Sequence, residues 1–255
     1  MDTKSEKLRI IDRDTLKYIA VIPMAVGHFV GFVWSEATNP GDSVLRFVLT
    51  QMSLIAPPIF FFFIAEGFRY TRSPKKYALR LLVFAVISQI PFCLSTNGTL
   101  LTTDLFLYLN VFFTLFLGLV SLIICESGLK KPVKILLVIL MDALTVIFGS
   151  QWMLFGIPII LSFYYFKDKP IVRLICFGSC ACMMLFITVV SFEPILGLEY
   201  FLTDLFFLML GYAIATVFYN GNKGSHPRFS KWFFYIFYPV HLLVIYAAVI
   251  YVGRF

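Results

Sequence analysis

Leu16–Trp34 reads LKYIAVIPMAVGHFVGFVW, an apolar run whose one formally charged residue is Lys17. At about 1.5 Å of rise per residue, a helix of this length crosses the ~30 Å hydrocarbon layer of a bilayer. Working outward, eight further apolar runs follow at 44–66, 78–95, 105–125, 133–149, 151–166, 171–191, 201–219 and 232–252. The 255-residue chain is 60% hydrophobic and 14% charged, far from the usual quarter of charged positions in a soluble domain. The fold class these patterns predict is all-α: one polytopic membrane helix bundle over residues 1–255, with about nine transmembrane helices and no separate soluble domain. The weakest boundary is Gly149-Ser-Gln-Trp152, where two runs also read as one broken, re-entrant pair.

The net charge of +7 is explained by where the basic residues fall. With a cytoplasmic N-terminus, all but Arg46 and Arg254 of the 21 Lys and Arg residues lie on inside segments. This is the positive-inside pattern, and it argues for topology and against nucleic-acid binding. The charged first fourteen residues run into a full span without an Ala-x-Ala exit, so the first span reads as an uncleaved anchor. The expected location is the bacterial cytoplasmic membrane, with the lipid bilayer as the first partner. Cys93, Cys125, Cys176, Cys180 and Cys182 fall in or at the edge of apolar runs, which suits small buried residues and suggests neither a disulfide framework nor a metal site. Short connections such as Asn39-Pro-Gly41, Ser73-Pro74 and Asn220-Gly-Asn-Lys-Gly224 mark turns rather than domain boundaries.

Polar groups inside spans carry the remaining information, because an ionisable side chain at membrane depth is costly and faces a bundle interior or a wet cavity. His28 lies about ten residues beyond Tyr18, and His241 lies about ten beyond Lys231, which gives them similar depth. Glu66 closes the second run beside Arg69 and Arg72; Gln89 and Asn110 sit in the third and fourth, Asp142 and Asp204 in the fifth and eighth. Each has a structural reading as well. His28 is flanked by Gly27 and Gly31, a small-xxx-small pair that lets helices approach closely. Glu66 has an i,i+3 partner in Arg69. His241 follows Pro239, whose missing N–H frees a carbonyl. Gln89 and Asn110 read as glue between helices as readily as site residues.

Five ordered strings resemble one family. They are Leu16-Lys-Tyr-Ile-Ala20 with Met24-Ala-Val-Gly-His28; Pro58-Ile-Phe-Phe-Phe-Phe-Ile-Ala-Glu-Gly-Phe-Arg-Tyr-Thr-Arg72; Arg80-Leu-Leu-Val-Phe-Ala-Val-Ile-Ser-Gln-Ile-Pro-Phe92; Leu109-Asn-Val-Phe-Phe-Thr-Leu115; and Phe233-Phe-Tyr-Ile-Phe-Tyr-Pro-Val-His-Leu242. Together they resemble the TraX family. The resemblance implies a membrane-embedded acyltransferase that takes an acetyl group from acetyl-CoA, its cosubstrate, to the N-terminal amine of a pilin-type subunit; other members are linked to fimbrial assembly. One departure stands beside His28, where the family's usual Asp is replaced by Gly27.

On that resemblance the matching residues divide by chemical task. Acyl transfer from a thioester needs a base for the acceptor proton, donors for the tetrahedral oxyanion, and cations for the CoA phosphates. An imidazole suits the first, against an amine of ordinary pKa about 7.7–8.0. His28 is the expected base, with His241, Gln89, Asn110 and Tyr238 as expected positioners or oxyanion donors. Arg69, Arg72 and Arg80 are expected to meet the donor's phosphates, with Glu66 orienting them and Tyr238 near the donor. No metal is expected. Three alternatives stay open: O-acetylation of a surface glycan, a proton-coupled transporter using the same His and Glu residues, and a noncatalytic assembly partner.

Overall fold

The computed structural model describes residues 8–34, 43–192 and 197–253, with nothing described of the side chains of 43, 189, 191, 192, 227 and 228. Lys4, Lys7, the Asn39-Pro-Gly41 turn, the Arg228 side chain and Arg254 lie outside the described residues. In chain order the helices are α1 (Arg13–Val33), α2 (Ser43–Gln51), α3 (Ala56–Tyr70), α4 (Pro74–Asn97), the single turn α5 (Asp104–Leu107), α6 (Val111–Cys125), α7 (Lys131–Ile147), α8 (Gly156–Tyr165), α9 (Pro170–Phe192), α10 (Gly197–Ala213) and α11 (Pro227–Tyr251). Among the described residues there is no strand, only one isolated bridge, from Ile11 to Tyr219.

Among the described residues seven helices are long and apolar enough to cross a membrane, the α2–α3 and α5–α6 stretches each counting as one. The protein is therefore a multi-pass helical membrane protein. Two of the nine expected runs are not among these seven: the fifth, 133–149, which forms the 17-residue α7, and the sixth. Residues 151–166 do not form a span: Gln151–Phe155 is a turn and α8 has only 10 residues. That helix rises about 15 Å, half the hydrocarbon thickness. The turn is backbone-strained as well, with Trp152 at φ 66° and Leu154 at φ 64°, a region that side chains with a Cβ seldom adopt.

The chain forms two compact units, one built from residues 1–60 and 182–255, the other from residues 61–181. In the first unit, α1 and α11 come from opposite ends of the sequence and run parallel. Lys17 Nζ meets Ser230 Oγ at 3.3 Å, and His28 Nδ1 meets His241 Nε2 at 3.1 Å, both pairs 213 positions apart. Asp12 starts α1 by accepting the Thr15 N–H on its side chain, as an N-cap does. The loop before α11 is tied to that end, with Arg13 N–H donating to the Asn222 carbonyl and His226 N–H donating to Asp14.

Between α2 and α3 the backbone tightens to a 3₁₀ turn at Met52–Ile55. Pro57 and Pro58 follow and lack the N–H groups that would reach the Ser53 and Leu54 carbonyls. The Ala56 N–H takes the Ser53 carbonyl instead, one residue closer than in an α-helix. Two glycines clasp this turn. A Cβ at Gly27 would lie 2.6 Å from the Thr50 carbonyl oxygen and 2.7 Å from Ser53 Cβ; one at Gly211 would lie 2.3 Å from the Ile55 oxygen. Only the absence of a side chain lets α1 and α10 approach so near.

In the second unit, α6 packs against α4, α7 and α8. Its core is aromatic and aliphatic, with Phe61, Leu81, Leu119, Leu122, Ile160 and Phe163 all buried.

Candidate active site

The first unit holds the histidine pair. The rings of His28 and His241 are near-parallel, 15° apart with centroids 5.4 Å apart. His241 is buried, at 7% exposed, and His28 is half-buried. His241 Nδ1 lies 3.1 Å from the carbonyl oxygen of Phe237, one helical turn before it. A carbonyl only accepts, so that nitrogen carries the proton. In the neutral pair, His241 Nε2 is then the acceptor, and His28 Nδ1 donates to it. The remaining lone pair is on His28 Nε2. The pair has one direction, fixed by a backbone oxygen.

Packing holds both rings in place. Phe237 stacks on His241 at 5.2 Å and 9°, Tyr238 meets it edge-on at 5.3 Å, and Phe32 meets His28 edge-on at 6.3 Å. Tyr238, expected near the site, is buried there. Gly27 has a physical account as well. The space that a carboxylate at this position would need is filled by Thr50 and Ser53, so His28 has no acid immediately before it and its Nδ1 is oriented by His241.

Gln89 and Asn110 belong to the second unit, and the structure brings them together in another way. Asn110 is the N-cap of α6, its Oδ1 accepting the Phe112 N–H at 3.0 Å. Its amide donates to the Ala85 carbonyl at 2.8 Å and to Gln89 Oε1 at 2.9 Å. Gln89 Oε1 also accepts the Asn110 N–H, and its amide donates to the Tyr108, Asp104 and Leu105 carbonyls. Both side chains are buried and their amide donors are engaged, which is the gluing role of the two readings. Gln151 adds to it by accepting the Val111 N–H at 3.0 Å. Thr114 hydrogen-bonds to Ser150 Oγ at 2.7 Å and donates to the Gln151 carbonyl.

The expected phosphate-binding residues are also in the second unit. Arg69 donates to the Tyr164 carbonyl at 2.9 Å and lies over that ring at 5.3 Å. Arg80 lies over the Tyr77 ring at 5.7 Å, and its buried Nε has no hydrogen-bond partner among the described residues. Glu66 is buried, at 5% exposed, whereas Arg72 is exposed. Asp142 on α7 and Asp204 on α10 each keep one carboxylate oxygen without a hydrogen-bond partner among the described residues.

The sequence reading missed the Phe237 carbonyl and the direct contact of the two histidines. A signal for the contact is present, since Lys17 to His28 and Ser230 to His241 have the same spacing. The Phe237 acceptor is a backbone group and leaves no mark in the residue pattern.

Fold and site together define a class, a multi-pass helical membrane protein whose two spanning end helices each contribute one histidine to a hydrogen-bonded pair. More particularly, the chain belongs to the TraX family: the family model described as TraX protein matches residues 12–249. The chain is also similar to the probable fimbrial assembly protein FimC, serogroup H1, of Dichelobacter nodosus, with 32% identity over 244 residues, covering 91% of this chain and 93% of that protein. No solved structure matches the chain.

Proposed function

We propose that the protein is a membrane-embedded acyltransferase that moves an acetyl group from acetyl-CoA to the N-terminal amine of an exported fimbrial or pilin-type subunit. The observation that carries this reading is the directed pair His28–His241, held at 3.1 Å and closed at one end by the Phe237 carbonyl. A lone pair at one terminus and a saturated acceptor at the other is the arrangement of a base with a second residue behind it. Family membership and the fimbrial-assembly name of the relative agree with an acceptor of this kind.

The reaction runs as follows. The neutral acceptor amine attacks the thioester carbonyl carbon, forming the C–N bond and a tetrahedral oxyanion. His28 Nε2 takes the proton that the nitrogen sheds, and the resulting positive charge is shared through Nδ1–H with His241 Nε2. Collapse of the intermediate breaks the C–S bond, and the departing thiolate receives the proton back. The products are the N-acetyl subunit and the free thiol of CoA, with the enzyme restored. Tyr238, packed on His241, holds the second ring in register.

The test is an intact-mass comparison of surface fimbrial subunits and surface glycans from cells with the gene, without it, and with His28→Gln. The reading predicts the mass of one acetyl group on the subunit N-terminus in the first case alone. Acetyl on glycan instead would move the acceptor to a hydroxyl, and acetylation that survives His28→Gln would remove the base.

A further inference from the structure

Along one face of α11, Phe229, Phe233, Phe237 and His241 recur every four residues, and their rings form a ladder. Phe229 lies 5.6 Å from Phe233, Phe233 lies 5.3 Å from Phe237, Phe237 lies 5.2 Å from His241, and His241 lies 5.4 Å from His28. Exposure falls along it. Phe229 is 62% exposed, Phe233 and Phe237 are half-buried, and His241 is 7% exposed. The open end is cationic, with Lys17 Nζ 5.0 Å from the Phe234 ring and Lys231 Nζ 5.0 Å from the Trp232 ring.

We infer that this ladder seats the extended thioester arm of the acyl donor, with the nucleotide end at Phe229 and the acyl carbon at His28. This rests on the acyltransferase reading above and adds the seat of the donor's arm to it. Length supports it. Twelve residues of helix rise about 18 Å. An extended pantetheine arm, at roughly 1.25 Å of advance per bond over about thirteen bonds, spans ~16 Å. Chemistry supports it too. The arm alternates methylene pairs with amides, which pack along the edges of the stacked rings, and its charged phosphate end belongs where the lysines are. A phospholipid would also bring a phosphate to the lysines, but its saturated chain carries no thioester to the base at the far end.

The test varies the length of the donor. Purified protein in liposomes receives acetyl-CoA, whose arm reaches the mouth, or S-acetyl-N-acetylcysteamine, a thioester that reaches only the deepest rungs. The acceptor is a hydrophobic peptide with a free N-terminal amine. Phe229→Ala is expected to raise KM for acetyl-CoA about fivefold or more while leaving KM for the short thioester within about twofold. Phe237→Leu is expected to raise both. Ile236→Ala, on another, exposed face of the same helix, serves as the control that changes neither. If Phe229→Ala accumulates poorly, Phe229→Leu is read the same way. Equal factors on both donors, or no change on either, would overturn the seat and leave the acyltransferase reading standing. Absence of transfer from either donor by the unaltered protein would overturn that reading, and the seat with it.

Discussion

Two buried polar clusters in this chain have opposite bookkeeping. Around Gln89 and Asn110 the network closes on itself: amides meet carbonyls, an N-cap meets its helix, and the donors are engaged. Around His28 and His241 the network is open, because one terminus is a backbone carbonyl and the other is a ring nitrogen with a lone pair. A closed network gives a unique fold. An open one leaves a group with chemical work to do, and the contrast separates the residues that hold the fold from those proposed to act.

Perturbing each cluster should break different properties. The largest expected effect is on the closed one: Asn110→Ala removes a helix cap and orphans buried partners, for a loss of about 3 kcal/mol. It should appear as a large fall in melting temperature in detergent. His241→Ala should slow transfer by roughly a hundredfold, equivalent to ~2.7 kcal/mol of barrier, with accumulation in the membrane nearly unchanged. If His241→Ala instead lowers the melting temperature as much as Asn110→Ala, the two clusters do not differ in the way argued. Gly27→Ala drives a methyl against the Thr50 carbonyl and Ser53, and should cost about 2 kcal/mol of stability, read by thermal denaturation. A neutral outcome would mean that the α1–α2 approach gives way easily. The smallest effect belongs to the rim of the closed cluster. Gln151→Ala removes the acceptor of the Val111 N–H and should cost about 1 kcal/mol by the same measurement.

Much of this contrast is legible in the residues. Hydropathy alone yields the helical membrane class, and seven of its nine runs coincide with the long helices, because burial in lipid leaves a length requirement that composition satisfies visibly. Helix ends are less visible. The first helix begins at Arg13, not at the first apolar residue, because Asp12 caps it and polar side chains tolerate the helix end. The sixth run has the hydropathy of a span, yet its first residues turn back in a strained loop, and hydropathy does not report backbone angles. For the site, similar depth in the first and last spans brings His28 and His241 to notice, but their contact depends on the parallel register of two helices remote in sequence. Asn110 carried its own signal, standing just before an apolar helical run as an N-cap does.

The central claim is that His28 Nε2 takes the acceptor's proton. Its most direct test is the initial rate of acetyl transfer from acetyl-CoA to an amine-bearing peptide in liposomes, comparing His28→Gln with the unaltered protein at matched folded amounts. Glutamine fills the space of the ring out to the level of Nε2 but has no basic nitrogen. The account predicts a loss of about 10²-fold or more in rate with the melting temperature nearly unchanged. Transfer by His28→Gln at close to the unaltered rate would contradict it.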